Sequence, residues 1–354
     1  MVGGSPLPLA VSMGEPAGIG TEVLLKCYQA LRKPAAGGRI PFFLIDDPAR
    51  VARITREAHL DFHVASIERP ADTAEAFAEA LPVLPLSGID PAPLMAVEAG
   101  KPSPATADAV TGSIRRAVEL ALAGEAGGVV TLPIQKSALQ DANFPYPGHT
   151  EYLGALTKGA PWPEGEPRGP VMMLAAGDFR TVPVTVHVPL RSVAEQLGTD
   201  TIIRIARVTA NSLRHDFGVA HPRIAVAGLN PHAGEDGHLG TEDRDVIGPA
   251  IAALRDAGID AHGPHPADTM FHEEARQHYD AALAMYHDQA LIPIKTVAFH
   301  QAVNVTIGLP IVRTSPDHGT GLAIAGKGVA RPDSTLNAIL MASRMAESRR
   351  RVLA

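Results

Sequence analysis

The sequence predicts an α/β fold with a largely parallel sheet that is covered by helices on both faces. Short aliphatic and β-branched runs alternate along the chain with longer amphipathic stretches, which is the pattern of βαβ units. The length of 354 residues and the apolar fraction of 45% supply enough core for one large α/β unit or two packed lobes. The runs that predict strands are PLAVSM, IPFFLID, GGVVTLPI, TVPVTVHV, RIAVAGL, DAALAMYH and AVNVTIG.

Between these strands, three helices have recognisable start signals. Short polar side chains precede apolar residues at helical spacing, and such side chains accept the free amides of a first helical turn. The signals are Thr106 with Asp108, Thr199 with Asp200, and Ser334. Two proline-rich stretches, 81–104 and 160–170, predict surface connections and give the only hints of a domain boundary.

Composition excludes several classes of protein. A formal net charge of −7, with no block of like charges, argues against a nucleic-acid-binding protein, which needs a clustered basic surface. The single cysteine, Cys27, excludes a disulfide framework and a cysteine-rich zinc finger, and it predicts a small core residue. The start of the sequence lacks the basic and apolar regions typical of a secretory signal, and no apolar run approaches the roughly 18 residues of a membrane span, so we expect neither feature. We therefore expect a cytoplasmic protein with small-molecule partners and no membrane partner.

Three histidines follow three of the predicted strands. His187 closes TVPVTVH, His232 follows RIAVAGLNP, and His287 closes DAALAMYH. Ligands of open α/β sheets bind at the carboxyl ends of strands, so these imidazoles predict one catalytic site for a metal such as Zn, Co, Ni or Fe. The alternative, in which each is a hydrogen-bonded loop residue, stays open because the chain has 15 histidines. Asp288 is an orienting partner of His287, a further ligand or an ordinary helix cap.

A second set of polar residues predicts an anion site. PGHTE offers His149 and Thr150 at the expected start of a helix, where free backbone amides favour an anion; a Thr150 N-cap is the alternative. Other polar and charged side chains lie in or beside apolar runs, where a charge needs a partner. They are Lys136, Asp268, Lys295, Asn304 and Arg313. The partner is a ligand's phosphate or carboxylate, or a structural acidic residue.

Seven motifs between residue 13 and about residue 330 carry a resemblance to a known family. They are MGEPAGIG, PGHTEYL, HVPL, GLNPHAGEDGHLGTE, PADTMF, AMYHDQALIPIK and VNVTIGLPIVRTSPDHGT. Together they resemble the 4-hydroxythreonine-4-phosphate dehydrogenase family of pyridoxal phosphate biosynthesis. GLNPHAGE, MYHDQ and RTSPDHGT are the most specific, whereas MGEPAGIG alone has neither a phosphate-loop nor a dinucleotide spacing and predicts a tight βα turn.

The resemblance implies a set of site residues and partners. It implies a homodimer with its active sites at the interface, and one divalent metal per active site (Zn, Mg or Co) held by His187, His232 and His287, some of them donated by the partner subunit. It also implies NAD or NADP as hydride acceptor. The residues that would hold the small phosphorylated hydroxy-amino-acid substrate are His149, Thr150, Lys295, Asn304 and Arg313.

A second likeness concerns the cofactor. DHGTGLAIAGKGVARPDSTLNAIL resembles the NAD-binding segment of isopropylmalate and isocitrate dehydrogenases, which implies cofactor contacts at His318 and Gly319. It also implies their two-lobed, three-layer α/β/α fold with the active site in the cleft between the lobes. We expect residues 1–148 with 305–354 in the first lobe, and residues 149–304, with the metal ligands and the dimer interface, in the second.

The family's activity would be NAD(P)-dependent, metal-dependent oxidation of 4-phosphooxy-L-threonine to 2-amino-3-oxo-4-phosphooxybutanoate, which decarboxylates to 3-amino-2-oxopropyl phosphate. Lys136 and Asp268 are our candidates for proton transfer. Paralogues with the same histidines oxidise threonate or erythronate 4-phosphate, or cis-dihydrodiol dicarboxylates, and they remain alternatives. Thr131-Leu132-Pro133 stands where the family often has TGP or TNP, which changes one pocket wall. A three-histidine metal hydrolase and a binding protein with a structural ion are more remote alternatives.

Overall fold

The structure is a computed structural model that describes residues 6–33, 39–57 and 63–353. Its contacts divide the chain into two compact units. The first contains the described residues up to Ala160 together with Pro310–Glu347, and the second contains Pro161–Leu309 and the chain from Ser348. The sequence placed these divisions earlier, after residues 148 and 304, and it kept the whole C-terminal segment in the first lobe.

The first unit is built on strands in the order β3-β4-β2-β1-β5-β12, and each of their pairings is parallel. Its strands are β1 (Leu9–Ser12), β2 (Phe42–Ile45), β3 (His63–Ser66), β4 (Ala80–Leu84), β5 (Gly128–Thr131) and β12 (Arg313–Pro316). Its helices are α1 (Gly20–Leu31), α2 (Pro48–Glu57), α3 (Thr73–Ala76), α4 (Ala92–Met95), α5 (Ala107–Leu122), α6 (Lys136–Asp141) and α7 (His149–Thr157), and α13 (Asp333–Leu353) begins in it.

The second unit has the strand order β11-β6-β7-β10-β8-β9. Strand β6 pairs antiparallel with both neighbours, and the other pairings are parallel. Its strands are β6 (Val171–Ala176), β7 (Phe179–Thr185), β8 (Arg223–Ala227), β9 (Asp260–His265), β10 (Ala281–Tyr286) and β11 (Val303–Ile307). Its helices are α8 (Val193–Gln196), α9 (Thr199–His215), α10 (Gly248–Asp256), α11 (Glu273–Arg276) and α12 (His287–Ala298).

The predicted α/β class is confirmed, and each run predicted as a strand contains one. The sequence missed β3, β4, β6, β9 and β12. Strand β9 has the sequence DAHGPH, whose polar and glycine content conceals a strand that is held by pairing with β8. Strand β12 has the sequence RTSP, yet it is wholly buried because it pairs with β5.

Helix starts were predicted to within a residue or two. Helix α5 begins at Ala107, α9 at Thr199 and α13 at Asp333. The prediction that 81–104 is a surface connection is wrong at its beginning, because Leu81 to Leu84 belong to the buried strand β4. Residues 161–170 do form a connection without helix or strand, and the division between the two units lies at its start.

The core of each unit follows from its buried apolar strands. In the first unit β1 and β2 are fully buried, and Cys27 on α1 is buried as predicted. The turn between β1 and α1 is tight: Gly14 has φ +67°, and a Cβ added there would lie 2.7 Å from the Cβ of Leu132. Across residues 6–33, 39–57 and 63–353, no helical segment combines the length and apolar character that a bilayer crossing needs.

Candidate active site

Two of the predicted metal ligands lie side by side in the second unit. His187 follows β7 and His287 follows β10, and these strands are neighbours in the sheet. The two ring centroids are 5.8 Å apart, and both rings line a cavity of about 220 Å³. Imidazoles that share one cation through bonds of about 2.0–2.1 Å have centroids about 5–6 Å apart. The spacing of this pair therefore fits a common divalent cation.

Asp288 orients one of these two rings. Its Oδ1 lies 2.7 Å from Nδ1 of His287. With the Nδ1 proton donated to a carboxylate, the imidazole presents Nε2 as the free ligand atom, which is the usual arrangement of a metal-binding histidine. Helix α12 begins at His287 with Tyr286 as its N-cap, so Asp288 is not the helix cap that the sequence left open.

His232 lies on an unusual loop after β8. Positive φ values run from His232 to Asp236 and continue at Gly237, which makes a left-handed turn. A left-handed backbone costs roughly 1–2 kcal/mol for each non-glycine residue, so it persists only where the surroundings enforce it. His187 has a positive φ as well, at 49°. Two of the three predicted ligands are thus held in a conformation that L-residues rarely adopt, which is common at functional sites.

A buried carboxylate holds the start of the His232 loop. Asp243 Oδ1 accepts from the amide of Leu229 at 2.8 Å, and its Oδ2 accepts from the amide and the side chain of Asn230 at 3.2 and 2.8 Å. Glu242 accepts a further bond from the Asn230 side chain at 2.8 Å. These bonds fix the loop where it leaves the strand.

The structure brings His187 and His287 together but does not place His232 with them. Among the residues described, no group of three or more His, Cys, Asp or Glu side chains is close enough to hold a metal ion. His232 is exposed on its loop. A single chain therefore offers a pair of adjacent imidazoles and a third histidine that faces solvent.

Basic groups converge in the first unit. His149 begins α7, Lys136 begins α6, and Arg313 begins the buried strand β12. Burial first, and then the positive charges of Arg313 and Lys136, hold the pKa of His149 well below its usual value of 6.5. Its Nε2 atom is buried and has no hydrogen-bond partner. This cluster suits a dianionic ligand, which would supply the missing partner and reduce the repulsion among the three groups.

Arg313 is the most deeply placed member of the basic cluster. Its guanidinium donates to Thr131 Oγ1 from Nη2 at 2.6 Å and from Nε at 3.2 Å. Burial lowers the pKa of Arg313 to about 9, so it keeps its charge at neutral pH. Thr150 lies in the first turn of α7, whose N-cap is Gly148, so the alternative of a Thr150 N-cap is wrong.

Because His149 is held neutral by its surroundings, it should make the fold sensitive to acid. Its folded pKa lies below the unfolded value near 6.5, so the unfolded chain takes up the proton first, and stability falls as the pH drops below about 6.5. We expect His149→Gln to lose less stability than wild type between pH 7.5 and 5.5, measured from urea midpoints. His221→Gln, at an exposed position, is the control and should follow wild type. An unchanged pH slope in His149→Gln would contradict the prediction.

The remaining predicted substrate and proton-transfer residues are more dispersed. Lys295 on α12 is half-buried and lines an open hollow with His287 and Asp288. Asn304 is half-buried on β11. Asp268 is exposed on the loop that follows β9. The open hollow thus joins Lys295 to His287 and Asp288.

The predicted cofactor loop lies in the first unit. The ring of His318 is within 2.9 Å of the Gly319 carbonyl and 3.3 Å of the Thr335 hydroxyl, so it is fixed locally. A Cβ added to the exposed Gly319 would meet no atom within 4 Å, which leaves its backbone open to a ligand. A nearby cavity of about 400 Å³ is lined by residues of the loop, the β1–α1 turn and helix α2; they include Gly18, Glu22, Arg53, Gly326, Lys327 and Gly328.

Some residues that shape the site were not predicted as functional. Asp243 follows the GLNPHAGEDGHLGTE motif, and Gln289 lies inside AMYHDQALIPIK, but neither was assigned a role. Gln289 is buried at the start of α12 and hydrogen-bonds Met285 of β10 and Gly228, which follows β8. A polar residue two positions after a candidate ligand is the only sequence signal for it, and that signal does not reveal what it contacts.

The fold and site together define an α/β protein with paired imidazoles at its strand ends and a basic cluster around the buried Arg313. A family model described as "Pyridoxal phosphate biosynthetic protein PdxA" matches residues 40–342. The chain belongs to the PdxA family.

Relatives with assigned names agree with this membership. The chain is 50% identical over 342 residues to the 4-hydroxythreonine-4-phosphate dehydrogenase of Caulobacter vibrioides, covering 97% of this chain and 98% of the relative. The crystal structure of the same enzyme from Klebsiella pneumoniae has a TM-score of 0.84 at 35% identity and covers 97% and 99% of the two chains. A terephthalate 1,2-cis-dihydrodiol dehydrogenase from Burkholderia xenovorans has a TM-score of 0.64 at 27% identity, with 96% and 98% covered.

Proposed function

We propose that this protein is an NAD(P)- and divalent-metal-dependent dehydrogenase of 4-phosphooxy-L-threonine. Relatives that carry the name 4-hydroxythreonine-4-phosphate dehydrogenase match nearly the whole chain at about half identity. Within the molecule, the proposal is carried by the His187–His287 pair. The Asp288 carboxylate is hydrogen-bonded to Nδ1 of His287. A hydrolase built on bound water would not need the glycine-rich cofactor loop.

We assign the metal to His187, His232 and His287, with at least one imidazole supplied by the second subunit. The exposed position of His232, outside the pair formed by the other two, supports a shared site. When bound, a divalent cation supplies Lewis acidity that lowers the pKa of a substrate hydroxyl and stabilises negative charge on a carbonyl oxygen. Asp288 keeps His287 in the tautomer that can bind a cation.

The reaction transfers the C3 hydride of the substrate to the nicotinamide and the hydroxyl proton to a base. The resulting 3-oxo acid then loses CO2, and the carbon left behind takes up a proton to give 3-amino-2-oxopropyl phosphate. Lys136 and Asp268 are the candidates for these proton transfers. Lys136 is close to the His149 segment: a Cβ added to Gly148 would lie 3.7 Å from Lys136 Nζ.

We propose that the basic cluster binds the anionic ends of the substrate. Arg313 and His149 lie together in the first unit, and His149 Nε2 is a buried polar atom that lacks a partner. With a proton on Nε2, His149 would donate a hydrogen bond to a substrate oxygen there, and a phosphate dianion would raise the pKa of His149. Thr150 in the first turn of α7, Lys295 and Asn304 complete the proposed set.

The nicotinamide cofactor is assigned to the loop that contains His318 and Gly319. The open space over Gly319 and the cavity of about 400 Å³ lined by Gly326, Lys327 and Gly328 of the same loop support this assignment. Backbone amides of glycine-rich segments can approach a pyrophosphate closely.

A homodimer would cover an apolar surface beside the histidines. Leu190 lies beside His187 in the histidine cavity, and Ile292 and Phe299 line the open hollow with His287. All three apolar side chains are more than 60% exposed. Exposed apolar residues that adjoin a site are typical of a surface that a protein partner covers. A second copy is the occupant we propose, because it would also bring a second His232.

A substrate panel tests the proposed activity. We expect reduced nicotinamide to form with 4-phosphooxy-L-threonine at a kcat/KM at least about tenfold above those for threonate 4-phosphate, erythronate 4-phosphate and a cis-dihydrodiol dicarboxylate. Both NAD and NADP are offered, and absorbance of the reduced ring is followed together with release of CO2. The basic cluster around Arg313 should favour the phosphorylated substrates.

Each of the other possible results would favour a different function. A preference for threonate or erythronate phosphate, or for the dihydrodiol, would assign the chain to the corresponding paralogue; the likeness to the Burkholderia xenovorans enzyme motivates that arm. Phosphate release without reduced nicotinamide would indicate a hydrolase. No turnover of any compound, together with unfolding when metal is removed, would indicate a structural ion.

A further inference from the structure

A row of buried hydrogen bonds connects the three strand ends that carry the histidines. The Thr185 hydroxyl donates to the Met285 carbonyl at 2.8 Å, and the Met285 amide donates to Gln289 Oε1 at 2.6 Å. Gln289 Nε2 then donates to the Gly228 carbonyl at 2.8 Å. Thr185, Met285 and Gln289 are each less than 9% exposed. We call these four residues the strand-end brace.

Each strand contributes to the brace close to its histidine. Thr185 on β7 precedes His187 by two residues, Met285 on β10 precedes His287 by two, and Gly228 after β8 precedes His232 by four. No member of the brace is itself a candidate ligand. The brace therefore lies within two to four residues of each imidazole along the chain, and its Thr185 also lines the histidine cavity.

The brace replaces main-chain pairing where two of the strands stop pairing. The β10–β8 ladder ends at Leu283 and Val226. Two residues further on, the Met285 amide and the Gly228 carbonyl are each bonded by the side-chain amide of Gln289 rather than by each other. A side chain inserted between two strand ends satisfies both buried groups while it holds the ends apart.

Gly228 connects the brace to the His232 loop. A Cβ added there would lie 2.6 Å from Asp243 Oδ1, the oxygen that accepts the Leu229 amide. Just before the left-handed turn, Gln289 therefore holds the Gly228 carbonyl and Asp243 holds the Leu229 amide. A shift of Gly228 would move the segment that carries His232.

We propose that the strand-end brace is a positioning element for the metal site, and that Gln289 sets the spacing between the His287 and His232 segments. The inference rests on the proposed metal-dependent function. Gln is required because one side chain must accept from Met285 and donate to Gly228 at once. Glutamate accepts but cannot donate when ionised, and methionine does neither usefully. The brace acts within each subunit, whichever subunit's histidines meet at one cation.

Cobalt binding to the full-length, metal-free protein tests the proposal. We expect Gln289→Met, Gln289→Glu and Thr185→Val each to weaken Co²⁺ binding by about tenfold or more and to alter its visible absorption spectrum, because the outer contacts of a metal site commonly have effects of this size. Thr185→Ser retains the hydroxyl and should bind Co²⁺ as tightly as wild type. With saturating Co²⁺, kcat should fall more than KM changes, since the substrate-binding cluster is intact.

Thr209→Val is the matched control. Thr209 is also a buried threonine of the second unit whose hydroxyl donates to a main-chain carbonyl, that of Ile205, at 2.8 Å, but it lies within α9. It should match Thr185→Val in loss of melting temperature and leave Co²⁺ affinity and spectrum unchanged.

The possible failures are distinguishable. If wild type binds Co²⁺, His287→Ala abolishes binding, and the brace variants match wild type in affinity and spectrum, the brace is only structural and the proposal is wrong. If wild type binds no Co²⁺, or His287→Ala binds it equally well, the proposed metal site is wrong, and so is the proposed role of the brace. Equal weakening by Thr209→Val would also overturn the proposal, because the effect would then reflect general destabilisation.

Discussion

Alanine at His187 or His287 is expected to lower kcat by about a thousandfold or more while the protein stays folded. Loss of one imidazole from a catalytic cation removes Lewis-acid stabilisation worth several kcal/mol, and each 1.4 kcal/mol is about a factor of ten in rate. Both side chains lie at the surface of a cavity rather than in the core, so the melting temperature should change little. Turnover, thermal melting and bound metal are measured on the same preparations. His221→Ala, at an exposed histidine of the same unit, is the control.

Mixing two inactive variants tests whether His232 acts across a dimer. If His187 and His287 of one subunit meet His232 of the other, a dimer of one His232→Ala and one His287→Ala subunit contains one intact site. Statistical reassembly should then restore about a quarter of wild-type activity. No recovery would mean that each site takes its histidines from one chain. Unfolding of the single variants on loss of metal would instead identify a structural ion.

Arg313→Met is expected to raise KM for the phosphorylated substrate by about tenfold to a hundredfold. A hydrogen bond to a charged group contributes about 1.5–3 kcal/mol, and the guanidinium is the most deeply buried member of the basic cluster. Burial lowers its pKa to about 9, which means that the fold disfavours the charge it carries. Arg313→Met removes this charge together with its two hydrogen bonds to Thr131, so the KM for the phosphorylated substrate is the measurement that identifies its role.

A large rise in KM distinguishes a ligand-binding arginine from a purely structural one. Arg50 is the matched control: it is also buried, and it forms an ion pair with Asp46 at 2.5 Å. Arg50→Met should leave a buried carboxylate unpaired and lower the melting temperature, with KM near wild type. A stability loss in Arg313→Met as large as that in Arg50→Met, with KM unchanged, would show that Arg313 has only a structural role.

The alternation of apolar runs and helical patterns was sufficient to locate the strands that carry the histidines. Periodicity and capping are local properties, so β7, β8 and β10 and the start of α9 can be predicted from a few residues each. Strands β9 and β12 were missed because their sequences, DAHGPH and RTSP, acquire extended structure only from a neighbouring strand. The contact between Asp288 and His287 is also local, since the residues are adjacent.

The sequence by itself determined the α/β class, the strand ends that carry the three histidines and the family to which the chain belongs, since these depend on residue type and spacing. Only the tertiary structure decided that His187 and His287 pair while His232 stands apart on a left-handed turn, and that Gln289 bonds Met285 to Gly228. These features depend on where the β8 and β10 ladder stops and on which buried polar groups then need partners. Such requirements arise only once distant segments are packed together.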